Sequence, residues 1–102
     1  MSVQFSQPLS AVAWNDVATG VATNSGVLDS HNSPFVSAFG HVSGATTITL
    51  MVSRDGSNFY AGSTVVLSGA ADFCLNAEIG AEYVCLQSSA DVTATAYLSA
   101  KG

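Results

Sequence analysis

Residues 35–60 read FVSAFGHVSGATTITLMVSRDGSNFY, and this stretch decides the fold class. Phe35, Ser37, Phe39 and His41 alternate with Val36, Ala38, Gly40 and Val42. Thr46, Ile48, Leu50 and Val52 then alternate with Thr47, Thr49 and Met51. Alternation with period two, rich in β-branched residues, predicts two strands. Ser43-Gly44 predicts a turn that joins them as an antiparallel hairpin. Asp55-Gly56 predicts a second tight turn, which delivers Phe59-Tyr60 to a third strand. Both faces of residues 35–42 carry apolar groups, so neither is plainly meant for water.

Working outward, Ser63–Leu67 and Val92–Ser99 alternate in the same way. Asp72–Asn76 and Glu82–Gln87 bracket an Ile79-Gly80 turn, which predicts a further hairpin. On the N-terminal side, Leu9–Val21 offers a weak helical spacing, but its valines, Asn15 and Gly20 disfavour a helix interior. Ala11–Trp14 reads better as a short strand ending in a turn at Asn15-Asp16. Val17–Thr23 follows as a strand or extended arm, and Asn24-Ser25-Gly26 as a turn. Val27–Asp29 is a short edge segment. Pro34 cannot donate to a ladder and suits the first position of the next strand. About seven to nine short strands with regular turn signals predict an all-β chain, an antiparallel β-sandwich of jelly-roll-like form. Residues 1–30 form an N-terminal arm with the first short strands, and residues 31–102 the sandwich body, within one domain.

Composition narrows the function. Charged residues are 9% of the 102, against about a quarter in ordinary domains. The polar surface must come from Ser, Thr, Asn and Gly, which also suits a protein that hides surface against partners. Only Arg54 and Lys101 are basic, and the net charge is −5. Nucleic acid and anionic membranes both demand clustered cations and are excluded as partners. No apolar run reaches membrane-span length, and the N-terminus lacks a basic, apolar leader, which predicts synthesis in the cytoplasm.

The candidate chemistry is sparse. His31 beside Asp29 has the makings of a metal pair or an oriented base, though a polar loop holds both types by chance. His41 shares a face with Phe39 and is expected to pack there. Asp55, Ser57 and Asn58 offer oxygens to calcium, but the EF-hand spacing is absent and Asp-Gly turn chemistry explains them. No nucleophile elbow, phosphate loop or carboxylate pair appears. The reading is therefore of no enzyme, no cofactor and no metal. Cys74 and Cys85 fit no zinc spacing; they are either two buried thiols or, if the Ile79-Gly80 hairpin forms, a cross-strand disulfide. Trp14, Phe35, Phe39, Phe59, Tyr60, Tyr83 and Tyr97 are candidate interface or packing aromatics. Among them Trp14, Tyr60, Tyr83 and Tyr97 would serve a carbohydrate-binding module if coplanar and exposed.

The run Gly44-x-Thr-x-Ile-Thr-Leu-x-Val-Ser-x-Asp-Gly-x-Asn-Phe-Tyr60 resembles small β-rich accessory proteins of bacteriophage particles, including capsid decoration (cement) proteins. The resemblance implies a non-enzymatic virion protein on the capsid surface. It would bind the major capsid lattice as a symmetric homo-oligomer, with a trimer favoured. Many equivalent sites on a shell let modest single contacts add to a large stabilisation.

Overall fold

The computed structural model describes residues 9–31, 33–78 and 80–101. Eight strands account for its regular structure: β1 Leu9–Ala18, β2 Leu28–Asp29, β3 Phe35–Val42, β4 Thr46–Ser53, β5 Phe59–Leu67, β6 Ala71–Glu78, β7 Tyr83–Ser88 and β8 Thr93–Lys101. No helix among the described residues is long and apolar enough to cross a membrane.

The strands form two four-stranded sheets, ordered β1-β8-β3-β6 and β2-β7-β4-β5. All pairings are antiparallel, and they nest: β1 with β8, β2 with β7, β3 with β6, β4 with β5. That nesting, completed by β3–β8 and β4–β7, is the jelly-roll arrangement of a β-sandwich. The expected fold class is thus the one observed.

The predicted hairpins are not. β3 and β4 both form, but they belong to different sheets, so Ser43-Gly44 is a corner between layers and not a hairpin turn. Both strands carry an apolar inner row, and a sandwich satisfies both rows by facing them. Only β4 and β5, joined at Asp55-Gly56, pair as sequence neighbours. β6 and β7 likewise part into separate sheets, so Cys74 and Cys85 do not lie opposite each other. Both thiols are free, Cys74 exposed and Cys85 buried. The hairpin that the alternative disulfide needs does not form, and of the two thiols expected to be buried only Cys85 is.

The core is the set of inward rows. Val36, Ala38 and Val42 of β3 face Ile48 and Leu50 of β4, with Leu86 of β7 and Ala96 and Leu98 of β8 between them, all essentially inaccessible. Each fully buried Leu or Ile stabilises the fold by about 1.5–3 kcal/mol. Gly40 makes the sheet possible at its centre. A Cβ there would lie 2.1 Å from Thr95 O and 2.6 Å from Ala96 Cα. At one end the inward polar residues satisfy each other: Thr46 and Ser88 hydroxyls meet at 2.5 Å, Ser88 donates to Ala90 O at 2.7 Å, and Ala90 N donates to Thr46 Oγ1 at 3.1 Å.

β1 runs through the turn expected at Asn15-Asp16. The chain instead shifts register between Val12 and Trp14 and again between Asn15 and Val17, with Asp16 at φ 53°. These bulges absorb the turn signal without ending the strand. Residues 9–29 contribute two strands to the sandwich, and residues 1–8 lie outside the described set.

The two lateral sides of the sandwich differ. On the β1/β2 side, residues 19–26 run along the gap. Ser25 N donates to Leu86 O (2.9 Å), Ala22 N to Ser88 O (2.9 Å), Gly26 N to Ala13 O (3.0 Å) and Thr19 N to Val92 O (2.8 Å). That segment occupies the free side of β7 beyond the short β2. On the other side, β5 and β6 are the outermost strands.

Candidate interaction face

The outer face of the β1-β8-β3-β6 sheet gathers the most suggestive side chains. Register places Val12 opposite Tyr97, Tyr97 opposite Phe39, and Phe39 opposite Cys74. One row of apolar groups therefore crosses all four strands. It is open to solvent: Val12 is 51% exposed, Phe39 44% and Tyr97 41%. The Phe39 and Tyr97 rings sit with centroids 5.7 Å apart and planes tilted by 38°, a favourable offset contact. Phe35, 54% exposed, lies further along β3 between Lys101 and Glu78.

Polar rows frame this stripe. On one side Ser10, Ser99, Ser37 and Asn76 line up, with Ser37 Oγ donating to Asn76 Oδ1 at 2.8 Å. On the other, Asn15, Thr95, His41 and Asp72 line up, and His41 Nδ1 donates to Asp72 Oδ1 at 2.8 Å. His41 is thus on the face expected for it, beside Phe39, but its ring is solvent-exposed and bonded, not packed. Among the described residues of this sheet, charges stand at the margins, at Asp16, Asp72, Glu78 and Lys101. An apolar centre with a polar rim is the composition of a protein interface.

The seven candidate aromatics divide. Phe35, Phe39 and Tyr97 share this face. Trp14 is buried in the core, inward of the β1 bulge. Phe59 and Tyr83 are half-buried and Tyr60 is exposed, all three on the other sheet. Trp14, Tyr60, Tyr83 and Tyr97 are therefore not brought together as a sugar platform. Val12, Ser37 and Asn76 are members of the face that nothing local in the sequence marks, and Cys74, expected as a buried or bonded thiol, joins them there. Only strand order aligns them with Phe39 and Tyr97.

The remaining candidates resolve as follows. Asp55 Oδ1 accepts from Asn58 N (2.9 Å), Ser57 N (2.9 Å) and Ser53 Oγ (3.1 Å), and Oδ2 accepts from Asn58 Nδ2 (2.9 Å). These bonds, those from the Asn58 and Ser57 backbone first, hold the carboxyl well below its usual range. Its oxygens serve the turn. Asp29 and His31 do meet, with His31 Nδ1 3.4 Å from Asp29 Oδ1, and the fold adds Glu82 at 4.0 Å. The trio sits at the surface with its ligand atoms within 4.8 Å of one another, close enough to share an ion, an arrangement that exposed acidic groups also adopt without one. Cys85 is pushed up to about 11 by burial, which keeps it a thiol.

No protein-family model and no curated protein matches the sequence. Solved structures do match the fold. The SPBc2 prophage-derived protein YomS superposes with a TM-score of 0.59 at 11% identity, covering 99% of this chain and 100% of that one. A subunit of Bacillus endospore appendages, a family of disulfide-linked pili, gives 0.46 at 15% identity over 97% and 89%. RmlC from Streptococcus suis gives 0.34 at 16% identity, over 92% of this chain and 43% of that one. At such identities the first likeness speaks to architecture alone: this chain has a jelly-roll β-sandwich fold, one that a prophage-derived protein shares along its whole length.

Proposed function

We propose that this chain is a structural protein of a bacteriophage particle, one that decorates or cements the capsid by binding on or between major capsid subunits. The observation that carries the reading is the charge-poor, aromatic-striped sheet face. A free apolar stripe across four strands is costly to leave in water and is a mark of a docking surface. The resemblance of residues 44–60 to phage accessory proteins and the jelly-roll architecture support the class of protein. The mechanism is mass action: each copy that prefers the assembled shell shifts its equilibrium toward assembly, and repeated sites multiply the effect. No chemical step is required of any residue.

The test is sedimentation of the purified chain with shells of the phage that encodes it, alongside mass spectrometry of intact particles. The chain is expected in the particles and in the pellet. Phe39→Lys or Tyr97→Lys, both exposed and so compatible with folding, should weaken shell binding by about thirtyfold, the scale of a central aromatic anchor. Absence from the particles, or binding indifferent to both substitutions, refutes the reading. A glycan-array signal removed by the same substitutions would replace it with carbohydrate recognition.

A further inference from the structure

The open lateral side of the sandwich carries a second surface. β5 ends its sheet, and among the described residues no backbone group pairs with its outer edge. Natural edges are usually blunted by charge, proline or covering chain, because a bare edge is a template for another strand. The β1/β2 side has such a cover in residues 19–26. β6 has Asp72 and Glu78, exposed near its two ends. β5, FYAGSTVVL, has neither charge nor proline. Its one interruption is the register shift facing Thr49 and Met51, which leaves Thr64–Leu67 as a regular run.

The register tells which groups face outward. Leu86 spends its N–H and C=O on Ser25, away from β4. The Leu50–Leu86 pair is therefore a non-hydrogen-bonded pair, and the alternation along an antiparallel ladder follows from it. Ile48 and Thr46 bond toward β5, at Val65 and Leu67. Thr64 and Val66 then point their N–H and C=O groups to the open edge. Val66 is also the most exposed of the large apolar side chains, at 76%.

We propose that this edge binds a second copy of the chain, β5 to β5 antiparallel, about a two-fold axis through Val65. That axis sets Thr64 of each copy against Val66 of the other, both with outward groups. Four main-chain hydrogen bonds follow, and the two four-stranded sheets become one of eight strands. Val65, half-buried at the rim of the core, meets its counterpart, and Leu67 faces Ser63 of the other copy. The neutral strand lets two chains of net charge −5 approach. The same operation on β6, centred on Leu75, would oppose Asp72 with Glu78, and like charges directly opposite repel. The contact uses a strand edge only, so the dimer is weak and concentration-dependent. It is two-fold, where the phage resemblance favours a trimer. It does not rest on the capsid reading, since Phe39 and Tyr97 lie on the other sheet.

Sedimentation equilibrium of the whole chain tests it, carried up to about 0.5 mM, the regime of small transient interfaces. The mass should rise toward two protomers. Val66→Pro removes an outward N–H, a place where an edge tolerates proline. Val66→Lys keeps the backbone and adds a charge. Each variant, checked for an unchanged β circular-dichroism spectrum, should weaken association at least about tenfold. In a Cys74→Ser background, Val65→Cys should form an intermolecular disulfide on mild oxidation, since facing non-hydrogen-bonded positions bring Cβ atoms within reach. A wild-type monomer throughout, a three-protomer mass, or a dimer untouched by both Val66 variants overturns the proposal. Phe39→Lys leaves the dimer in place, which separates failure of this contact from failure of capsid docking.

Discussion

Two residues of the same type make the sharpest contrast. Cys74 and Cys85 are both strand cysteines, yet one faces water and the other is sealed and held as a thiol at neutral pH. A thiol-reactive probe should therefore label one cysteine per native chain at pH 8 and two in denaturant. Cys74→Ser should abolish native labelling, and a native stoichiometry of two would contradict the burial of Cys85. Asp55 makes a different point about exposure. Its carboxylate is open to solvent, but local N–H donors lower its proton affinity below the ordinary value of 3.8. A depressed folded value means the carboxylate stabilises the turn above the unfolded value and loses that contribution as pH falls through the range below 3.8. Asp55→Asn should accordingly be less stable than the wild type at pH 7, with the gap narrowing on acidification in denaturant melts. A gap that persists in acid would assign the effect to geometry, not charge.

At the scale of elements, the strands were legible and their partners were not. The inward rows of β4 and β8 follow from alternation alone, as does the hairpin at Asp55-Gly56, whereas that of β3 does not, because both of its faces carry apolar groups. Local sequence predicts β3–β4 and β6–β7 hairpins that do not form, because a short polar corner between layers has the same residues as a turn within one. Nothing local in Ser43-Gly44 distinguishes them; the choice is made by which apolar rows meet. The interaction face suffered the same blindness. Phe39 and Tyr97 were visible as aromatics, but Val12 and Cys74 join them only once β8 is known to lie between β1 and β3. Gly40 is another case: its need is set by the close approach of β8, not by its own strand. Gly40→Ala should cost about 1–3 kcal/mol, an overpacking penalty against rigid backbone. That is a fall in melting temperature of about 4–8 °C per kcal/mol for a domain of this size. A variant melting with the wild type would mean the β3–β8 spacing is looser than described.

For the whole molecule, charge scarcity and topology tell one story. A chain with few charges protects one flank with its own residues 19–26, studs β6 with carboxylates, and leaves one sheet face and one strand edge bare. Those two bare surfaces are on different sheets, so the two proposed contacts do not compete for the same residues. The nested pairing has a further consequence, for synthesis. Leu9 meets Ala100, and β8 is an interior strand of its sheet. A nascent chain still lacking residues 93–101 holds β1 with no partner in that sheet and β3 with one side open. Such long-range pairings form in milliseconds to seconds, and only once every strand is available. Translation halted before Thr93 yields a product that cannot close its sheet and is exposed to proteases and aggregation. Closure of this sheet therefore waits on β8, the last of the described strands to be made.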